Sequence, residues 1–182
     1  MLLAVVAGLA LGPVRHPWMI NASSSMPVGL YELSPVERPI ERGDTVVICT
    51  PKDFAELGAR RGYLEAGPCV ADTAPLLKLV AAVAGDVVEL RPDSIAVNGH
   101  CLGSSVTFER DGSGRALPQV ARRSYTLGPH QIWLWAPAER SFDSRYFGAL
   151  DARDVTDFAR AKIVRPAPAT LPPAGADCVR RS

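Results

Sequence analysis

The hydrophobic residues of this chain fall in short runs separated by turn residues. Such runs, when rich in β-branched residues, are typical of strands. The strands predicted from them are residues 28–33, 43–49, 76–84 and 131–135. Three further short runs, VVEL, SIAV and HCL, predict a meander in which Asn98 and Gly99 form a type I′ hairpin turn. The pattern therefore predicts a mainly β domain.

One stretch, beginning at residue 50, predicts a short helix instead. Thr50 is a suitable N-cap, Pro51 suits the first helical position, and Asp53 places a carboxylate in the first turn. Gly62 follows two arginines and predicts the end of this helix. The 16 prolines of the chain also argue against an all-helical fold and favour strands joined by fixed loops.

The chain divides into an apolar N-terminal segment at residues 1–20, a domain at residues 21–166 and an Ala/Pro-rich tail at residues 167–182. The chain opens with MLLAVVAGLALG, which carries no charge, but a helix needs about 20 apolar residues to span a bilayer. Three interpretations remain open: a marginal membrane anchor extended to Ile20, an anchor shortened by a start codon placed too far downstream, or a buried terminal segment. The first two associate the chain with a membrane, and we carry them forward.

Charge and cysteine content limit the classes of partner. The net charge is only +1, which gives no strong positive potential to attract nucleic acid, so we expect no nucleic-acid partner. The four cysteines fit neither a zinc site nor a thioredoxin motif, and we expect no metal and no cofactor. In an oxidising compartment Cys49 and Cys69 could form a disulfide; alternatively, all four thiols are unpaired.

Lys78 is a candidate general base because of its position on a predicted strand. Side chains alternate between the two faces of a strand, so Lys78 shares a face with Leu76, Val80 and Ala82. Burial among apolar side chains favours the neutral amine, which can accept a proton. The alternative is a lysine whose stem covers the strand while its amine reaches water.

The serines at residues 23–25 are candidate nucleophiles. A serine hydroxyl needs a base, and a lysine of lowered pKa can replace the histidine of a Ser-His-Asp triad. No triad pattern surrounds any of the three histidines, His16, His100 and His130. The serines could instead form a polar linker or a helix cap, although Pro27 and Gly29 favour an extended chain. Farther along, SFDSRYFGAL is either a structural loop or a source of acceptors that orient the Lys78 amine.

Three motifs together resemble one family. SSSMP, KLVAAVAGD and SFDSRYFG occur in the order and form of the conserved boxes of signal peptidase I. The segments NASSSMPVGLYELSP and RRGYLEAGPC resemble the conjugative-transfer, TraF-type branch of that family. The resemblance spans residues 21–166. It implies a membrane-anchored serine peptidase with a Ser-Lys dyad on a catalytic β domain like that of signal peptidases and LexA.

The resemblance also implies roles for individual residues. Ser25 matches the nucleophile and Lys78 the general base. Ser23 matches the residue whose hydroxyl, with the backbone amide of Ser25, stabilises the oxyanion.

In the third motif, the resemblance assigns supporting roles. Ser141 corresponds to the serine that hydrogen-bonds to the lysine amine and orients it. Asp143 matches an aspartate that supports the catalytic site and is implicated in activity, and Arg145 matches its structural partner.

The function implied is that of a serine endopeptidase of the inner membrane with its catalytic domain in the periplasm. Its substrate is expected to be a precursor protein of a conjugative transfer apparatus, such as a pilin that is matured and, in some relatives, cyclised. Three alternatives remain: a general signal peptidase acting on exported preproteins, an inactive scaffold of a secretion complex, and a self-cleaving LexA-type repressor. The last needs a DNA-binding helix-turn-helix, and only 24 residues precede Ser25.

Overall fold

The computed structural model describes residues 17–103 and 105–165. Strands dominate this part of the chain, as predicted. They are β1 (Trp18–Asn21), β2 (Gly29–Pro35), β3 (Thr45–Ile48), β4 (Ala66–Cys69), β5 (Leu76–Ala82), β6 (Val87–Leu90), β7 (Ile95–Val97), β8 (His100–Cys101), β9 (Ser124–Thr126), β10 (Gln131–Trp135), β11 (Leu150–Asp151) and β12 (Val155–Val164). The helices are α1 (Lys52–Arg61) and α2 (Ser144–Phe147), with 3-10 turns at Val70–Asp72 and Ala152–Asp154.

Two antiparallel sheets organise these strands except β4, which makes only isolated bridges to Thr73. The larger has the order β1-β2-β12-β3-β5-β10-β11, and the smaller has the order β8-β7-β6-β9. The hairpin between β7 and β8 turns at Asn98 and Gly99, whose φ angles of 49° and 82° are both positive, as a type I′ turn requires. The predicted strands and hairpin are therefore confirmed, with ends that differ by a few residues.

Strand β12 is central to the larger sheet, where it pairs with both β2 and β3. The hydrophobic pattern did not predict it. Its buried positions include Asp157 and Ala159 beside Val155, so the inward face carries little of the apolar signal that marks a core strand.

Helix α1 confirms one predicted end and corrects the other. Gly62 ends it in the left-handed conformation, with φ at 70°. The predicted N-cap at Thr50 is wrong, because the last extended residue is Pro51, whose carbonyl accepts hydrogen bonds from the amides of Phe54 and Ala55. Thr50 is buried and its hydroxyl caps no amide.

The main core packs the larger sheet against α1 and the loop around α2. Aromatic rings join these parts: Phe147 lies 5.6 Å from Phe54 and 5.7 Å from Phe142 between ring centroids. The buried residues of this core are Val46, Ile48, Leu76, Val80, Ile132, Leu134, Phe147, Leu150 and Val155. The core thus fixes β5 and the α2 loop relative to each other.

A disulfide joins Cys49, just after β3, to Cys69 at the end of β4, with their Cα atoms 5.6 Å apart. The bridge predicted as one alternative is therefore confirmed, and it closes the segment that contains α1.

Most of the predicted N-terminal segment and the predicted tail lie outside the described residues. Of the former, residues 17–20 are described, and Trp18 to Ile20 belong to the edge strand β1. Within residues 17–103 and 105–165, neither helix has the length and apolar character needed to cross a membrane.

Candidate active site

The serine loop, residues 22–28, connects β1 to β2 and is held by Asn21. The buried side-chain nitrogen of Asn21 lies 3.0–3.1 Å from the carbonyl oxygens of Ser23, Met26 and Pro27. Its side-chain oxygen accepts a hydrogen bond of 3.2 Å from the Ser23 amide. One side chain therefore organises the whole turn. Sequence analysis did not identify Asn21, although an Asn at the start of a turn is a recognisable signal.

The far end of the serine loop is fixed by packing. Met26 is buried in a cluster with Tyr31, Val47 and Leu77. The Tyr31 hydroxyl donates a 2.8 Å hydrogen bond to the carbonyl of Pro27. Ser25 therefore precedes an anchored residue, and the position of its backbone is set on both sides.

Lys78 lies on β5 with only 3% of its surface exposed. Its Nζ is 2.9 Å from Ser25 Oγ, which is hydrogen-bond distance between residues separated by 53 positions in sequence. Burial lowers the pKa of Lys78 to about 8, because desolvation disfavours the ammonium form; the Asp143 carboxylate opposes this shift and Arg145 adds to it. A neutral amine at this distance can accept the serine proton.

Ser23 and Ser25 also contact each other. Their hydroxyl oxygens are 2.8 Å apart, and the Ser25 amide donates to Ser23 Oγ at 3.4 Å. The two donors predicted for the oxyanion thus lie side by side at the hydroxyl of the predicted nucleophile, Ser25.

Asp143 and Arg145 form a completely buried ion pair. Arg145 Nε and Nη2 donate to the two carboxylate oxygens of Asp143 at 2.8 and 2.7 Å. Asp143 also caps α2 by accepting from the Arg145 amide, and it accepts from the Ala136 amide at 3.1 Å. Arg145 donates further to the carbonyls of Ala138 and Glu139. The pair therefore fixes the loop that leads from β10 to α2.

The hydrogen bond predicted from Ser141 to Lys78 is not formed. Ser141 is buried beside the same cavity as Lys78, but its hydroxyl has no hydrogen-bond partner within the described part of the chain. The Lys78 amine makes its hydrogen bond to Ser25 instead. The structure brings Ser23, Ser25 and Lys78 into direct contact and leaves Ser141 adjacent.

A cavity of about 580 Å³ opens beside Ser25 and Lys78, a size typical of ligand sites. Its lining comes from β1, the serine loop, the start of β5, the segment after α1, and the loops that carry Phe108 and Phe142. The cavity is therefore long enough to extend from the reactive hydroxyl to segments distant from it in sequence.

One wall of this cavity is tied together by contacts between the end of α1 and the loop at residues 110–117. We name these contacts the clasp. Arg61 donates to the carbonyl of Ala116 at 2.6 Å, and Arg115 donates to the carbonyl of Arg61 at 3.3 Å. The Tyr63 hydroxyl donates to Asp111, and this hydrogen bond holds the pKa of Asp111 well below its usual range.

No group of three or more His, Cys, Asp or Glu side chains that could hold a metal occurs among the residues described. The polar groups at the cavity are instead the serine hydroxyls, the buried amine and the charged side chains of its rim. Such a set of groups suits acid–base and nucleophilic chemistry.

Comparison with known proteins identifies the family. The family model "Signal peptidase, peptidase S26" matches residues 1–164. A probable conjugal transfer protein TraF of Sinorhizobium fredii is 39% identical over 163 residues, which cover 87% of this chain and 85% of the relative. A plasmid transfer protein TraF of Escherichia coli is 34% identical over 166 residues, covering 87% and 92%.

Among solved structures, a signal peptidase I from Enterococcus faecalis matches with a TM-score of 0.39 and 17% identity, covering 66% of this chain and 97% of that one. Since the family model covers most of the chain and the curated relatives exceed 30% identity, the chain belongs to the peptidase S26 family of signal peptidases.

Proposed function

We propose that this chain is a serine endopeptidase in which Ser25 is the nucleophile and Lys78 the general base, and that it processes precursor proteins of a conjugative transfer apparatus. The observation that carries the proposal is the 2.9 Å distance between Ser25 Oγ and the buried Lys78 Nζ. The names of the relatives, conjugal and plasmid transfer proteins, support the process.

The reaction begins with attack of Ser25 Oγ on a peptide carbonyl of the substrate. Neutral Lys78 takes the hydroxyl proton as the new C–O bond forms. The Ser25 amide and the Ser23 hydroxyl donate to the negative oxygen of the tetrahedral intermediate, each contributing about 2.7–4 kcal/mol if it behaves like other oxyanion donors. Lys78 then returns the proton to the leaving amine as the C–N bond breaks.

The acyl-enzyme is resolved by a second nucleophile. Water releases a linear product and regenerates Ser25. An amine from the same precursor would instead form a new peptide bond and a cyclic product. We propose a pilin precursor as the substrate, and the second nucleophile decides whether its product is linear or cyclic.

Asp143, Arg145 and Ser141 are proposed as supporting residues. The Asp143 carboxylate is fully used by Arg145 and by backbone amides, so it acts on Lys78 through its charge and through the loop it fixes. Ser141 adjoins the amine without bonding to it. These three residues position the site and do not react.

The proposed location is the inner membrane, with the catalytic domain in the periplasm. The Cys49–Cys69 disulfide supports this location, because such bridges form and persist in oxidising compartments. The N-terminal apolar segment would provide the membrane association.

The matched family model favours one second candidate, a general signal peptidase acting on exported preproteins. The chemistry of the two candidates is the same, so the substrate distinguishes them. A panel of exported preproteins should be cut by a general signal peptidase and left intact by a transfer peptidase, which should cut the pilin precursor of its own transfer system.

The test of the proposed function is processing of that pilin precursor by the full-length chain, followed by mass spectrometry of the product. Ser25→Ala and Lys78→Ala should each abolish processing, while Ser113→Ala and Lys52→Ala, at exposed positions, should retain it. Circular dichroism checks that all variants fold. Processing by both active-site variants would disprove the dyad. The product mass distinguishes a linear chain from a cyclic one, which is lighter by one water.

A further inference from the structure

Two arginines on the rim of the cavity have no carboxylate partner in the described part of the chain. Arg110 and Arg140 both line the cavity and both are exposed. Many surface arginines of this chain do pair with a carboxylate, as Arg160 does with Glu32 at 2.6 Å. An unpaired guanidinium beside a substrate cavity is free to bind an anion.

Arg140 is held in a fixed orientation by an aromatic ring. Its guanidinium carbon lies 4.6 Å from the centroid of the Phe108 ring. Phe108 is itself fixed, because its amide donates to the Tyr146 hydroxyl at 3.4 Å and its carbonyl accepts from Gln119 at 3.0 Å. A guanidinium stacked on a ring keeps the N–H groups at its edge available, which suits bidentate binding of a carboxylate.

Arg110 is held by the backbone of the neighbouring turn. Its Nη1 donates to the carbonyl of Gly114 at 2.7 Å. The turn is rigid, because Asp111 accepts hydrogen bonds from the amides of Ser113 and Arg115. Arg110 therefore retains further N–H donors, and it stands two residues from Phe108, on which Arg140 stacks.

The other charged groups of the lining leave this end of the cavity positive. Asp111 is already paired with Arg115 at 2.6 Å. Glu65 is the remaining carboxylate of the lining, so one unpaired negative charge is set against the two positive charges of Arg110 and Arg140. A carboxylate of a bound peptide would thus find two pre-oriented cations with a surplus of positive charge.

We propose that Arg110 and Arg140 form a subsite that binds a carboxylate of the substrate peptide within the cavity that Ser25 and Lys78 also line. The inference rests on the proposed function, because it assigns part of the same cavity to substrate selection. The carboxylate is either an Asp or Glu side chain or the free C-terminus of the peptide. Both sources present the same planar pair of oxygens to the arginines.

The test measures peptide binding to the full-length chain carrying Ser25→Ala, so that no cleavage intervenes. The probes are dye-labelled nonapeptides of alanine and serine in which one Glu occupies each position in turn, each matched by a Gln peptide. A further pair differs only in a free or an amidated C-terminus. Fluorescence anisotropy gives each Kd.

The peptide with Glu at one particular position, or the peptide with a free C-terminus, should bind about tenfold more tightly than its neutral counterpart. This ratio of Kd values is typical of a charge-assisted contact. Arg110→Gln with Arg140→Gln should remove this ratio while leaving the Kd of neutral peptides unchanged. Arg122→Gln with Arg123→Gln, which removes two arginines outside the cavity lining, should retain it. Arg140→Glu should favour a Lys peptide at the same position, a gain that misfolding could not produce.

Equal binding of all matched pairs, or a ratio that survives the double substitution, would overturn the subsite. Loss of the ratio in the Arg122→Gln, Arg123→Gln control would also overturn the subsite, because that result would indicate a general effect of charge. The proposed function fails separately: a chain that shows the carboxylate preference but does not process any pilin precursor would have the subsite without the peptidase role.

Discussion

At the scale of single residues, Asn21 has more influence on the candidate site than any motif suggested. Its side chain contacts four backbone groups of the loop that carries Ser23 and Ser25. No other described side chain makes more than one hydrogen bond to the backbone of this loop. Asn21 is therefore the side chain that contributes most hydrogen bonds to holding Ser25 near Lys78, alongside the packing of Met26 and the hydrogen bond from Tyr31.

Asn21→Ala should lower kcat/KM for precursor processing by about 10²-fold, because a displacement of about 1 Å at a reacting group has an effect of this size. Its free energy of unfolding should fall by only about 1–3 kcal/mol. The control is Asn98→Ala, which removes two side-chain hydrogen bonds, one from the Val87 amide and one to Asp86, outside the serine loop. Similar losses of activity in both variants would contradict a positioning role for Asn21.

Lys78 should destabilise the fold at neutral pH. Its pKa is about 8 in the folded chain and 10.5 when unperturbed, so between these values the unfolded chain binds a proton that the folded chain does not. The contribution of Lys78 to the free energy of unfolding is therefore lowest below pH 8, and it rises with pH between pH 8 and pH 10.5.

Lys78→Met should accordingly raise the free energy of unfolding at pH 7, by up to roughly 3 kcal/mol, and this advantage should shrink towards pH 10. Urea unfolding at the two pH values measures it. Lys52→Met, at an exposed position of α1, controls for the loss of a lysine and should change little. A Lys78→Met variant that is less stable than the parent at pH 7 would show that burial of the amine carries no net cost.

At the scale of elements, the sequence predicted those strands whose inward residues are strongly apolar. Strand β5 is an example, since Leu76, Val80 and Ala82 are buried on one face as expected. Strand β12 could not be predicted, because Asp157 occupies one of its buried positions. Strand β1 was also missed, because its apolar residues continue the apolar N-terminal run and were taken as part of a possible anchor.

The Cys49–Cys69 bridge should stabilise the fold. Replacing both cysteines by alanine should lower the free energy of unfolding by about 3 kcal/mol, since the bridge closes a loop with a sequence separation of 20 residues. The double substitution is preferable to a reductant, which would act on every disulfide. Chemical denaturation measures the change, and an unchanged midpoint would contradict it.

The clasp should control the affinity of the cavity for its substrate. Tyr63→Phe removes the hydrogen bond to Asp111 while keeping the ring that packs 5.4 Å from Phe142. We expect a rise in KM of about threefold to tenfold with little change in kcat, because the clasp does not contact Ser25 or Lys78. Tyr125→Phe, on β9, also removes a hydrogen bond to the chain and serves as the control. A fall in kcat with unchanged KM would argue against this role.

At the scale of the whole molecule, the fold brings together residues that the sequence separates widely. The motifs predicted that Lys78 would lie within reach of Ser25, and the 2.9 Å distance agrees, but they did not predict that Ser141 would remain unbonded. The meeting of Ser25 and Lys78 depends on the sheet order, in which β1 and β5 reach the cavity although three strands stand between them. Side-chain hydrogen bonds of this kind follow from tertiary packing, which no local pattern encodes.

The pH profile of activity tests whether the fold provides Lys78 as the base for Ser25. Since Lys78 must be neutral to accept a proton, kcat/KM should rise with pH and level off above about 8. Thermal unfolding at each pH separates a loss of activity in acid from a loss of the fold. A rising limb centred near pH 6.5 would indicate a histidine as the base and would contradict the role of Lys78.

The Cys49–Cys69 disulfide also links the stability of the fold to the compartment in which the chain folds. Thiols stay reduced in the cytosol of most bacteria and become oxidised after export. A chain whose catalytic domain is exported, as proposed, would acquire the covalent link between the two ends of the α1 segment only after export. Its fold would then reach full stability only in the compartment proposed for its substrates, and would be less stable while the chain is still in the cytosol.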